Sequence, residues 1–225
     1  MPDDDTAPAP LTEPDRAALR QAWREALVGA RGTPTGPDPD PYADNLLTRW
    51  SEPHRRYHTL THLEAVLAHL DTLQDHPEHP HVVRLAAWFH DAVHAPDRSE
   101  NEERSARLAE RALPEAGLSR EATADVARLV RLTVTHDPAD GDRDGEALCD
   151  ADLAILAAAP DAYAAYAAAV REEYAFVPDE AFRAGRADVL RQLLALPRLF
   201  RTPYGAAHWE AAARENLTTE LELLT

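Results

Sequence analysis

Two histidines and two aspartates have the types and spacing to do chemistry together. They are His62, the adjacent pair His90 and Asp91, and an aspartate from the run Asp150-Ala151-Asp152. The pair lies in AAWFHDAVH, residues 86–94, where its neighbours are almost all apolar. Burying such groups without partners costs several kcal/mol, so they must satisfy one another or hold something. His90 follows His62 by 28 residues, a distance that suits a helix, a loop and an antiparallel return. Two imidazoles and two carboxylates form a mixed nitrogen and oxygen ligand set. That set suits one divalent transition metal, Mn, Co, Ni, Fe or Zn, with Mg less comfortable. A cation would remove the cost of burying the carboxylates and fix the neutral imidazoles. Each group also has a structural alternative. The His-Asp pair can satisfy itself, Asp150 can cap a helix, and Asp152 can complement a helix dipole.

Further titratable groups surround this set: His58 in RRYHTLTH, His94 one turn beyond His90, and His136-Asp137 in THD. By contrast, His76, His79 and His81 fall in the Pro-punctuated DHPEHPH and are expected in a solvated loop. The single cysteine, Cys149, permits no internal disulfide and reads as a packed small residue. No Gly-rich phosphate loop and no nucleophile elbow occur in the sequence.

The elements that must position these residues read as helices. PDRAALRQAWREALVGA places Leu19, Trp23, Leu27 and Val28 on one face. RGTPTGPDPDP, residues 31–41, holds two Gly and four Pro and must be a loop, followed by a short helix in YADNLLTRWSE. TLTHLEAVLAHLDTL follows in helical register. HVVRLAAWFHDAVH, residues 81–94, is apolar nearly all round and is expected as one central, buried helix. Ser99 with Glu102 reads as a capping box, and Ser119 as the start of the next helix. DGDRDGE reads as an acidic loop, so that Asp150 and Asp152 open the helix after it. Helices are expected near 150–158, 160–175, 179–195 and 206–223. Alternating strand patterns are absent. The expected class is an all-α, single-domain multi-helix bundle over 11–225, preceded by a Pro- and Asp-rich disordered tail at 1–10.

The bulk properties bound the function. The chain has 225 residues, 40 acidic and 23 basic, for a net charge of −17. That balance argues against binding a nucleic-acid polymer, yet a metal and a few arginines can reverse the potential inside one pocket. No apolar run is long enough to span a bilayer, and the N-terminus lacks the features of a signal peptide. A soluble, cytoplasmic protein with no membrane partner is expected; a homodimer is compatible with it.

The ordered series His62, His90-Asp91 and an Asp in DADL resembles the HD superfamily of metal-dependent phosphohydrolases. RRYHTLTHLEAVL, AAWFHDAVH, NEERSA, LVRLTVTHD, DADLAIL, VREEY and ARENLTTEL resemble in order a subfamily described as predicted HD-domain phosphohydrolases, across residues 45 to 222. The resemblance implies His62, His90, Asp91 and Asp152 as metal ligands; Asp152 is favoured over Asp150 because it follows Ala and precedes an early Leu. It implies hydrolysis of a phosphoester or phosphoanhydride of a small phosphorylated substrate, a nucleoside mono- or triphosphate, by a metal-activated water. Asp91 with Glu102 or Glu103 would position that water, and Tyr57, His58 or His136 would meet the phosphate or the leaving group. Arg55 and Arg56 could clamp phosphate bidentately, with Arg183, Arg186 and Arg214 as further anion contacts. Two alternatives stand beside it: an HD-fold di-iron oxygenase, in which His94 and His136 would serve a second metal, and a non-catalytic nucleotide-sensing module.

Overall fold

The computed structural model describes residues 12–225, and the expected tail at 1–10 lies outside the described residues. Those residues form an all-α bundle with no strand among them. α1 (Glu13–Arg31) starts where the Asp15 carboxylate accepts the Thr12 N–H at 2.8 Å, and it ends at Gly32. Gly32 has φ 68°, the left-handed conformation in which glycine alone pays no Cβ penalty. The Pro- and Gly-rich loop then leads into α2 (Asp40–Trp50), α3 (Leu60–Thr72) and α4 (Pro80–Phe89). α5 (Asn101–Glu115), α6 (Arg120–Leu132) and α7 (Arg143–Leu153) complete the first layer of packing, with a 3-10 turn at Ala154–Ala157. α8 (Pro160–Glu173), α9 (Asp179–Ala195), α10 (Pro203–His208) and α11 (Glu210–Leu224) follow.

Two apolar cores result. The larger is built on α4, which packs against α1, α3, α5, α6 and α7. Its centre is aromatic: Trp23 meets Trp88 edge-on at 5.5 Å and Phe89 at 6.0 Å. The smaller core gathers Leu156, Tyr163, Leu190, Phe200 and Leu217 from the second half of the chain. No single helix among the described residues is long and apolar enough to cross a membrane.

Four local expectations are corrected. The run 81–94 is not one helix, because α4 stops at Phe89 and His90 to Val93 form a tight turn. The Ala92 N–H reaches back only to Phe89 O, at 3.0 Å. Neighbours on a helix point about 100° apart. Leaving the helix lets His90 and Asp91 face one point. The Ser99–Glu102 capping box does not form, since α5 begins at Asn101 with Glu100 at its N-cap. Asn101 instead bonds the Ala95 and Arg98 carbonyls and the Ala95 N–H. DGDRDGE is not a loop throughout. Asp142 caps α7 by accepting the Gly145 N–H at 3.1 Å, so Asp150 and Asp152 sit in the last turns of a helix rather than opening one. The final helix is broken at Trp209 into α10 and α11. Ser119 does cap α6, accepting the Ala122 N–H at 3.1 Å.

Trp50 links this packing to the residues of interest. Its indole N–H donates to the Trp88 carbonyl at 3.0 Å, and its ring lies 5.3 Å from the His90 ring. Trp50→Phe keeps most of the apolar area but leaves that buried carbonyl without its donor. Urea unfolding should show a loss of about 1–3 kcal/mol.

Candidate metal centre

Each candidate ligand arrives from a different element. His62 lies in the first turn of α3, His90 and Asp91 in the turn after α4, and Asp152 at the end of α7. His62 Nε2 is 3.2 Å from His90 Nε2 and 3.1 Å from Asp152 Oδ1. His90 Nε2 is 3.3 Å from Asp91 Oδ2 and 3.5 Å from Asp152 Oδ1. Two imidazole nitrogens and the Asp152 carboxylate oxygen therefore converge on one small volume, and Asp91 approaches it on the His90 side. The His90 Nδ1–H donates to the Ala87 carbonyl at 2.7 Å, so its Nε2 presents a lone pair inward when the ring is neutral. Asp152 Oδ2 accepts from His136 Nε2 at 2.8 Å. His136 has φ 48°, a strained conformation for a residue with a side chain, in the turn that aims its ring at Asp152.

Asp150, the rival to Asp152, points elsewhere. It is fully buried and accepts the Arg201 N–H at 2.8 Å, the Thr202 N–H at 2.8 Å and the Thr202 hydroxyl at 2.6 Å. It ties α7 to the segment before α10.

A second group lies beside the first. Glu173, at the end of α8, has a side chain with no exposure. Its Oε1 accepts from His58 Nδ1 at 2.5 Å and from His94 Nε2 at 2.8 Å. Its Oε2 accepts the backbone N–H groups of Arg56, Tyr57 and His58 at 2.9, 3.1 and 3.2 Å. With Glu173 holding its Nδ1, His58 turns Nε2 toward Asp91 Oδ2, 3.8 Å away. Both groups bring three ligand atoms close enough to hold a cation. Their distances differ in length. Ligands bonded at about 2.0–2.2 Å to one ion lie about 3.0–3.5 Å apart, which is the spacing of the His62, His90 and Asp152 atoms, with Asp91 Oδ2 at 3.3 Å from His90 Nε2 on one side of the group. The contacts of Glu173 at 2.5 and 2.8 Å are hydrogen-bond lengths. The first group fits a cation. The second fits a hydrogen-bonded carboxylate that orients two histidines.

The electrostatics agree. Burial pushes Asp91 and Asp152 up, but the surrounding imidazoles outweigh it and hold both well below the usual carboxylate range. Burial alone would push His90 down, yet Asp91 and Asp152 raise it well above an ordinary imidazole. His62 is lowered by burial, while the Asp91 and Glu173 carboxylates raise His58 against the same burial. The carboxylates demand positive charge. They favour the protonated forms of His90 and His58.

The remaining candidates are distributed as follows. The buried Arg55 guanidinium is engaged with Glu52 and the carbonyls of His58, Asp91 and Ala92, and it stacks on Trp50. It staples the turns that carry the ligands. Arg56 is exposed at the rim of a cleft of about 510 Å3 that includes Tyr57, His62 and Asp152. Arg186 is paired with Glu220 at 2.7 and 2.9 Å and touches the Tyr166 hydroxyl. It lines an apolar cavity of about 490 Å3 that also includes Tyr57 and His58. Arg183 donates to the Leu223 carbonyl, and Arg214 to Glu210 and the Leu194 and Leu196 carbonyls. Glu102 is half-buried in the first turn of α5. Glu103 is bonded to Arg131 and Arg107, whose guanidiniums lower it to about 2. Ser105, one turn on, bonds Val93 and secures the loop after Asp91. His76 pairs with Glu146 and His79 with Asp144, which fastens their loop to α7, while His81 is exposed. Glu173 was not distinguished from its neighbour Glu172 by the sequence. Only its depth and its five donors mark it.

Comparisons of the chain with protein-family models, with curated proteins and with solved structures give no match.

Two predictions follow from the geometry. After dialysis against Mn, elemental analysis should find about one ion per chain in the native protein and in Asp150→Ala, but none in Asp152→Ala. Asp150→Ala should instead lose about 3–5 kcal/mol of stability, because three donors are left buried without an acceptor. The second concerns Glu173, where the bonds from His58 and His94 outweigh burial and hold the carboxyl below its ordinary value. A depressed carboxyl adds stability above its unfolded-state pKa of about 4.5 and loses it as pH falls. The metal-free protein should therefore melt at steadily lower temperature from pH 5 to pH 3. Glu173→Gln should be less stable at pH 6 by about 3 kcal/mol and show a shallower fall.

Proposed function

We propose that this chain is a metal-dependent phosphohydrolase of the HD type, acting on a phosphoester or phosphoanhydride bond of a nucleotide. One observation carries the reading: the ligand atoms of His62, His90 and Asp152 converge at cation-coordinating distances beside an open cleft, with Asp91 3.3 Å from His90. A divalent transition metal held there would supply Lewis acidity toward a phosphoryl group and an acidified water. The protein's own contribution is positional. Ala87 fixes the His90 tautomer, and His136 fixes the second oxygen of Asp152. Arg55 draws together the backbone of His58, Asp91 and Ala92. His58 brings its second ring nitrogen within 3.8 Å of Asp91 at the edge of the site, and Arg56 offers a guanidinium at the cleft rim.

The second reading is a di-iron oxygenase. Its support is the group His58, His94 and Glu173 beside the first. Metal count and product separate the two: two irons with oxygen uptake on one side, one divalent ion with released phosphate on the other.

The test is a phosphate- and pyrophosphate-release screen over nucleotides, with Mn, Co, Ni and Mg supplied in turn. Metal-dependent release is expected from the native protein, with Asp91→Ala reduced by at least about a hundredfold. Release that persists unchanged in that variant would sink the assignment of this site.

A further inference from the structure

The cleft beside His62 and Asp152 has an unusual wall. On one side α3 presents Thr61 and Ala65, one turn apart. On the other α8 presents Ala162, Ala165 and Ala169 along one stripe. Larger residues at these positions would fill the cleft, and the alanines leave two facing methyl surfaces. One end is closed by Tyr57 and Tyr166, packed edge-to-face at 4.6 Å.

The charges around this cleft are sparse. The chain has 23 arginines and no lysine, and most arginines near the centre are already committed. Arg55 is buried against Glu52 and three carbonyls, and Arg186 is held by Glu220. Among the described residues Arg56 is the arginine lining the cleft; one of its guanidinium nitrogens donates to the Pro53 and Arg55 carbonyls at 2.7 and 3.0 Å, and Glu172 stands 4.0 Å from it. A divalent ion on His62, His90, Asp91 and Asp152 would have its charge cancelled by the two carboxylates. One phosphoryl group would still find the ion and Arg56. A second and third would find no fixed cation, in a protein of net charge −17. Sites that hold polyphosphates spread several cations along the chain of phosphates.

We infer that this cleft takes a phosphomonoester whose body is flat and uncharged, and discriminates against polyphosphates. The inference rests on the proposed function for the identity of the reacting group, but its binding arm does not depend on turnover. The phosphoryl end sits at the metal ligands and Arg56. The body lies between the alanine faces of α3 and α8, where apolar contact and not charge provides affinity.

The test uses the Mn-loaded full chain. Calorimetric titration should show phenylphosphonate binding at least about tenfold more tightly than methylphosphonate. Ala165→Glu, a substitution at an exposed helix position, should remove that difference while elemental analysis finds the same bound Mn. In the release assay, adenosine monophosphate should exceed adenosine triphosphate in kcat/KM by at least about tenfold. Equal binding of the two phosphonates, or a preference for the triphosphate, overturns the inference and leaves the hydrolase reading standing. Phenylphosphonate binding without release of phosphate from either nucleotide supports the cleft assignment and removes the hydrolase reading instead.

Discussion

Two imidazoles and two carboxylates cannot be packed into one buried volume unless positive charge joins them. That constraint organises the molecule. The oxygens of Asp91 and Asp152 lie 3.3 and 3.5 Å from one ring nitrogen of His90, and a second ring nitrogen, from His62, closes the group at 3.1–3.2 Å. Asp91 and Asp152 raise His90 well above an ordinary imidazole against its burial. A divalent cation would balance the carboxylates with its full charge and satisfy all four atoms at once. The aromatic core around Trp50 and Trp88 supplies the stiffness that keeps this arrangement from relaxing.

The fold meets the constraint by ending helices where ligands are needed. α4 stops so that His90 and Asp91 face the same point, α3 begins just before His62, and α7 ends just after Asp152. The loops between these ends would be free to drift, and buried polar anchors hold them. Arg55 gathers the carbonyls, Asn101 and Ser105 fasten the segment after Asp91, and Glu173 reaches from α8 to fix His58, His94 and three backbone N–H groups. Glu173 also joins the second half of the chain to the first, tying α8, whose alanines line the cleft, to the segment that leads into α3.

The helical class was legible because apolar residues recur at helical spacing almost throughout, and the meeting of His62, His90 and Asp152 was legible in part because titratable groups stand there in otherwise apolar segments. What was not legible was local and depended on tertiary partners. The run 81–94 has the composition of a buried helix to its end, and nothing within it signals that Asp91 must turn toward His62 and Asp152. Asp142 looks like one acid among several in DGDRDGE, and becomes a cap only because Gly145 can approach it beneath Leu132. Asp150 and Asp152 are separated by a single alanine, and their opposite destinations follow from what Thr202 and His136 offer. Arg55 and Arg56 are adjacent and identical in type. One is buried among distant carbonyls, and the other is exposed at the cleft with one guanidinium nitrogen on the neighbouring Pro53 and Arg55 carbonyls. Glu173 is the clearest instance, since VREEY gives no sign of which glutamate is interior.

The central claim is that one cation belongs at His62, His90, Asp91 and Asp152 and that the neighbouring His58, His94 and Glu173 form a hydrogen-bonded support. Anomalous diffraction from crystals soaked in Mn tests it directly. The account predicts a single peak bonded to His62 Nε2, His90 Nε2 and the carboxylates of Asp91 and Asp152, with Glu173 still bridging the two histidines. A peak between His58, His94 and Glu173, or none at either group, would contradict it.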